Sequence, residues 1–98
     1  MARIEQQSDG HLTLSGVLDY RSGVALRAQG KQLITQQVVQ HLVLSCAEVE
    51  KSSSVGLSLL LAFKRDAQLL GKTLRIENLP SDMQKIAQVS ELQEILMG

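Results

Sequence analysis

The sequence predicts an α/β fold: a mixed sheet of four to five strands with helices packed mainly on one face. Three observations carry this. His11 to Leu18 alternates, with Leu12, Leu14, Gly16 and Leu18 on one side and Thr13, Ser15 and Val17 on the other, the period of a strand with one buried face. Val38 to Cys46 is a near-continuous apolar run, the pattern of a central strand covered on both faces. Segments with helical spacing alternate with these strands, and strand–helix–strand units join parallel strands by right-handed crossovers.

Taken in order, Ala2 to Gln7 reads as a weak first strand at or near an edge, ended by the turn residues Ser8-Asp9-Gly10. After the second strand, Asp19 is placed to cap a helix over about Ser22 to Thr35. Its apolar stripe is Leu26, Leu33 and Ile34 with Gly30, and Arg27 and Lys31 lie on the outer side. Ala47 to Ser53 reads as a polar loop. Three serines, Ser52, Ser53 and Ser54, then precede a strong helical pattern running from about Ser54 to Leu70. Serine suits a helix start because its hydroxyl accepts a bond from a free first-turn N–H. Gly71 is placed for the left-handed conformation that ends a helix. Thr73 to Ile76 is a short strand. Pro80 opens a C-terminal helical region whose apolar residues are Met83, Ile86, Ala87 and Val89, and after a break near Ser90 a last turn carries Leu92, Ile95 and Leu96. The order is β-β-α-β-α-β-α-α, and residues 1–98 read as a single domain, since a chain of 98 residues supports one core and not two.

Composition narrows the function. Ten basic and ten acidic side chains give a net charge of zero, and the basic residues are scattered, so no face is ready to displace counterions from nucleic acid. Cys46 is the single cysteine, and His11 and His41 stand apart in sequence, so neither a disulfide nor a metal centre is expected, and no cofactor. The N-terminal residues lack the apolar core of a signal peptide, and the longest apolar run, Leu59 to Phe63, is far short of a membrane span. A cytoplasmic location is the expectation.

Catalytic groupings are missing too. Ser54 has no histidine near it in sequence, no G-x-S-x-G elbow is present, and no glycine loop is built for phosphates. Glu48 and Glu50 read as the edge of a solvated loop. The second helix suggests a binding role instead. At ~100° per residue, Gly56, Leu60, Phe63, Ala67 and Leu70 fall on the expected core side. Ser54, Leu57, Ser58, Leu61 and Arg65 fall roughly opposite, and leucines flanked by small polar groups on an outer stripe mark a docking surface.

The stretch Leu44 to Leu61 resembles the STAS domain family (sulfate transporters and anti-sigma factor antagonists), which carries a pattern close to L-D-L-S-x-V-x-x-I-D-S-S-G-L between a buried strand and a helix. Leu44, Val49, Ser54, Gly56 and Leu57 match it. Leu14-Ser15-Gly16-Val17-Leu18-Asp19 looks like the family's second strand, Gly71 to Ile76 like its last strand, and Pro80 to Leu96 like its closing helices. The chain departs from the pattern at Ser45 and Ser53, where the family has aspartates, and at Val55, where it has a second serine.

The size and the G-L-x-L-L-L helix start resemble the branch of the family that serves ABC-type lipid transporters of the Mla (maintenance of lipid asymmetry) system. That resemblance implies a non-catalytic cytoplasmic subunit, peripheral to the inner membrane, bound to a MlaF-like ATPase and through it to the permease. It supports assembly and activity in outer-membrane lipid asymmetry, without nucleic acid and without inserting into the membrane. The contact expected from helix and resemblance together is Ser53, Ser54, Leu57, Ser58, Leu61 and Arg65. The alternative is an anti-sigma factor antagonist switched by phosphorylation at Ser54; the loss of acids at Ser45 and Ser53 weighs against it.

Overall fold

The computed structural model describes residues 2–89. Four strands, β1 (Arg3–Ser8), β2 (His11–Leu18), β3 (His41–Ser52) and β4 (Thr73–Glu77), form one sheet in the order β1-β2-β3-β4. β1 pairs antiparallel with β2 through the turn at Asp9-Gly10, and β3 runs parallel to both β2 and β4. The sheet is therefore mixed, with β1 at one edge, as the sequence predicts. Helices α1 (Tyr20–Gln36) and α2 (Ser54–Leu69) make the two crossovers, and α3 (Ser81–Val89) follows β4. The final turn expected around Leu92, Ile95 and Leu96 lies outside the described residues.

One face of the sheet carries the core. Leu12, Leu14 and Leu18 of β2, Leu42, Leu44 and Cys46 of β3, and Leu74 and Ile76 of β4 are buried against Leu26 and Ile34 of α1 and Leu60, Phe63 and Ala67 of α2. Each large apolar side chain removed from water contributes roughly 1.5–3 kcal/mol, so this single layer of contacts dominates stability. Met83 and Ala87 of α3 and Leu79 ahead of it close the same layer.

The helix ends follow from local chemistry. Asp19 Oδ1 accepts from the backbone N–H groups of Arg21 (2.9 Å) and Ser22 (3.2 Å), and Ser22 Oγ accepts from the Asp19 N–H in return. This reciprocal cap starts α1 at Tyr20, two residues earlier than the apolar spacing suggests. At the other end, Lys72 Nζ donates to the carbonyls of Ile34 (2.8 Å) and Gln37 (2.6 Å), satisfying acceptors that the last turn leaves open. Gly71 ends α2 at φ +72°, with its N–H on the Gln68 carbonyl and that of Lys72 on the Ala67 carbonyl, the paired closure that a left-handed residue permits.

Four expectations are corrected. β3 is not covered on both faces: Leu42, Leu44 and Cys46 are buried while Val43 and Ser45 lie half-buried on the open face. Val38 is not in the strand and is exposed, because the chain there is still leaving α1; the side chain of Gln37 takes the buried place and accepts from the Gly10 N–H at 3.0 Å. Ala47 to Ser52 is strand, not loop; its side chains look like loop residues because β4 pairs only as far as Ser45, leaving the end of β3 bonded to β2 alone. Leu70 and Val89 are exposed, each at the end of its helix where the core has already curved away.

Candidate functional site

The strand-to-helix junction after β3 places the candidate site. Ser53, not Ser54, caps α2: its Oγ accepts from the Val55 N–H at 3.2 Å, and its own N–H donates to the Leu18 carbonyl at 3.2 Å. Ser52 Oγ donates to the Ser53 carbonyl at 3.0 Å. Two of the three serines are thus structural, and Ser54 stands exposed at the first helical position. Gly56 lets the helix start close to the sheet. A Cβ there would overlap Ser52 Oγ and approach Leu18 Cβ to 3.2 Å.

The faces of α2 agree with the helical wheel in part. Gly56, Leu60, Phe63 and Ala67 face the core, and Ser54, Ser58 and Arg65 are exposed. Leu57 does not belong to the outer stripe. It is buried at 3% exposure, because it sits on the flank of α2 rather than opposite the core, and its side chain joins the main cluster. Leu61 is half-buried and packs partly on that cluster. With Lys64, Arg65 and Gln68 it lines a shallow dimple, and partial burial pulls the Lys64 ammonium below its ordinary value. The exposed ridge of α2 therefore runs from hydroxyl groups at Ser54 and Ser58 to a partly apolar, basic end at Leu61 and Arg65.

Beside this ridge lies a feature that sequence reasoning missed. Tyr20, Gly23, Val24 and Arg27 of α1 and Val55, Ser58, Leu59 and Ala62 of α2 line an open groove of about 430 Å³ between the two helices. Tyr20 (73% exposed) and Val24 (82% exposed) form its outer rim, with the guanidinium of Arg21 over the Tyr20 ring at 5.7 Å. Arg27 reaches across to Asp66 of α2 with both terminal nitrogens, Nη2 to Oδ1 at 3.0 Å and Nη1 to Oδ2. Arg27 is thus a partner in a bidentate pair and not a free outer residue, and Asp66 is a buried carboxylate that its polar identity hid. The readable signal was Tyr20 and Val24, two apolar residues one turn apart and off the core stripe.

A larger hollow of about 490 Å³ between β2 and α1 is lined by Ala2, Val17, Asp19, Arg21, Ser22 and neighbours. The hydrogen-bonding groups of Asp19 and Ser22 are already engaged in the α1 cap. Among the described residues no three His, Cys, Asp or Glu side chains come together as a metal site would need. No helix among them is long and apolar enough to cross a membrane. The α1–α2 surface combines the exposed ridge of α2 with the groove beside it.

The profile of a family described as "Mlab, STAS domain" matches residues 1–97. The chain belongs to the STAS domain family. No curated protein sequence matches it significantly. Among solved structures, this STAS chain is similar to a chain of the Acinetobacter MlaFEDB complex in an ATP-bound conformation, at 26% identity and TM-score 0.80, over 94% of this chain and 96% of that one. It is also similar to the unphosphorylated anti-sigma factor antagonist SpoIIAA, at 20% identity and TM-score 0.76, over 100% of this chain and 86% of that one. The phosphorylated Bacillus SpoIIAA aligns at 22% identity and TM-score 0.69, over 100% and 89% of the two chains. Likeness to the two antagonist structures concerns the fold. In this fold Ser54 opens α2, Ser53 caps it, and Ser45 Oγ accepts from Asn78 Nδ2 at 3.2 Å.

Proposed function

We propose that this chain is a non-catalytic STAS subunit that binds the ATPase of an ABC-type phospholipid transporter of the Mla type and supports its assembly and activity in outer-membrane lipid asymmetry. The observation that carries the reading is the exposed ridge of α2. Small hydroxyl residues at Ser54 and Ser58 let a partner approach the helix N-terminus closely, and Leu61 and Arg65 supply apolar area and charge further along. The STAS family of the MlaB type and the likeness to a chain of the MlaFEDB complex support the choice of partner. In this reading the chain lies on the cytoplasmic side of the inner membrane, held there by the ATPase.

A binding role also fits the placement of the titratable groups. His11 and His41 open β2 and β3, at the opposite end of the parallel strands from Ser54, which follows the last residues of β3. Neither ring is placed to take a proton from the Ser54 hydroxyl.

Pull-down of the transporter ATPase from co-expressing cells tests the reading. Ser54→Arg and Ser58→Arg are expected to abolish capture while leaving the thermal melt within a degree or two of the parent, because both positions are exposed and a bulky cation in a desolvated contact is costly. Normal capture by both variants would remove the ridge as the interface, and no capture by the parent chain would remove the ATPase as partner.

A further inference from the structure

We infer that the outer edge of β1 pairs with the same edge of a second copy of this chain, antiparallel and centred on Ile4, joining two four-stranded sheets into one of eight strands. The inference stands apart from the reading of the α2 ridge. α1 packs over β1 and β2, and α2 over β3 and β4, so pairing at the β1 edge leaves the ridge uncovered.

The edge carries unpaired backbone groups at fixed positions. β1 is bonded to β2 alone, and every residue of it except Ile4 is exposed. The Val43 N–H donates to the Gly10 carbonyl at 2.7 Å, so Gly10, Leu12 and Leu14 turn their backbone groups toward β3. Thr13 and Ser15, which alternate with them, turn theirs toward β1. Glu5 and Arg3 lie opposite Thr13 and Ser15 and therefore bond inward. The N–H and C=O groups of Ile4 and Gln6 point outward, where no strand among the described residues meets them.

Side-chain charge chooses the register. Ile4 is buried on the core face, and Arg3 and Glu5 flank it on the open face, joined as an ion pair along the strand. A two-fold axis on Ile4 sets Arg3 against the second copy's Glu5, and Glu5 against its Arg3, so two cross-strand pairs of opposite charge form. An axis on Glu5 would set the two Glu5 carboxylates against each other. An axis on Gln6 would meet the irregularity between Gln6 and Ser8. A slip by one residue would set core-facing Ile4 against an open-face residue. Charges on an edge strand ordinarily discourage pairing. Here the order Arg-Ile-Glu makes them attract in one register and repel in the next.

The other edge carries the same triplet, Arg75-Ile76-Glu77 in β4. That strand ends at Glu77, and Asn78 at φ 58° turns the chain aside, whereas β1 continues past Glu5 to Ser8. Contact between unlike edges, β1 on β4, would repeat without closing, while a two-fold contact stops at two copies. The paired segment is short, below the ~1,200 Å² that stable complexes bury, so the association is weak and concentration-dependent.

Sedimentation equilibrium of the whole chain at low salt, from about 10 µM to about 1 mM, tests this, with a thermal melt on each variant. The parent is expected to show a monomer–dimer equilibrium that weakens as salt is added. Arg3→Glu and Glu5→Arg set like charges across the two-fold axis, and each is expected to weaken self-association tenfold or more while keeping the melt. Mixed in equal amounts, the two variants are expected to pair with each other as tightly as the parent pairs with itself, because each carboxylate again meets a guanidinium. Amide hydrogen exchange reads the edge directly: the Ile4 and Gln6 N–H groups should exchange rapidly in the monomer and slow in the dimer. A parent that stays monomeric at the highest concentration would overturn the proposal, as would a dimer that leaves Ile4 and Gln6 unprotected. Single variants that associate like the parent, or a mixture that fails to recover, would overturn the register. Growth past the dimer would assign the contact to unlike edges and overturn the two-fold pairing.

Discussion

The ring of Phe63 on α2 fills the space where Gly30 on α1 would carry a side chain: a Cβ at Gly30 would overlap ring atoms Cε1 and Cζ and lie 3.1 Å from Cδ1. Both residues are buried, Phe63 completely. Glycine at this crossing is what lets the two helices close over the sheet while an aromatic ring points between them.

Gly30→Ala should therefore destabilise the fold. Alanine gains up to about 1 kcal/mol over glycine in helix propensity, but forcing a methyl into a packed crossing costs about 1–3 kcal/mol. The net effect in urea unfolding is a modest loss. Phe63→Ala should cost about 3–5 kcal/mol. In a Phe63→Leu background, where the ring is gone, Gly30→Ala should become neutral or stabilising. An unchanged cost in that background would mean the ring is not what excludes the methyl.

Breaking the Arg27–Asp66 pair should be costly in one direction only. Asp66 is 6% exposed at its side chain, so Arg27→Met strands a buried carboxylate. Loss of one partner of a buried pair costs about 3–5 kcal/mol, and the 38% exposure of Arg27 places this pair toward the lower end because water reaches it. Arg27→Met with Asp66→Leu should recover most of the loss, because no unpaired charge remains. Denaturant midpoints of the single and double variants measure this directly, and a double variant no more stable than Arg27→Met would show that the pair acts through packing.

The legibility of the chain follows the strength of its periodic signals. β2 alternates strictly, and its pattern of buried Leu12, Leu14 and Leu18 was readable from sequence. The Asp19 cap and the Gly71 stop were readable because each depends on a local side-chain or backbone preference. The end of β3 was not, since strand pairing at Ala47 to Ser52 is decided by the neighbour β2 and leaves no apolar mark. On α2 the wheel placed Ser54, Ser58 and Phe63 correctly and misplaced Leu57, because a helix wedged between α1, α3 and the sheet buries its flanks as well as its base. The groove escaped notice because its walls come from two different helices, α1 and α2, and no single segment displays it.

Cys46 should be inert in the native state. It is fully buried in β3, and loss of hydration pushes its thiol up from the ordinary 9.0 to about 12. Little thiolate exists at neutral pH, and the alkylating reagent has no path to it. Iodoacetamide at pH 8 should leave the folded chain unmodified and label it in denaturant. The sign for stability follows: the folded state favours the neutral thiol, so the contribution is complete below about pH 9 and is lost as pH rises toward about 12. Rapid labelling of the folded chain at pH 8 would contradict the burial.

Ser54 should carry no regulatory phosphate. The fold itself does not forbid one. Ser54 is exposed at the first position of α2, and negative charge near a helix N-terminus is favourable by about 0.3–1 kcal/mol. The obstacle is the surroundings. Where the family pattern has an acid immediately before the serine, this chain has Ser53, whose hydroxyl is committed to the helix cap and which offers no carboxylate. Intact-mass analysis of protein taken from its native source is thus expected to show the unmodified chain, and a substantial fraction phosphorylated at Ser54 would favour the antagonist reading over the transporter one. The acidic variant separates fold from interface. Ser54→Asp should melt at or slightly above the parent temperature, since the dipole accepts the charge. It should nonetheless weaken capture of the ATPase, because the same carboxylate must be desolvated in the contact proposed for α2. A variant that melts normally and binds normally would place Ser54 outside the contact and shift the interface toward Tyr20 and Val24.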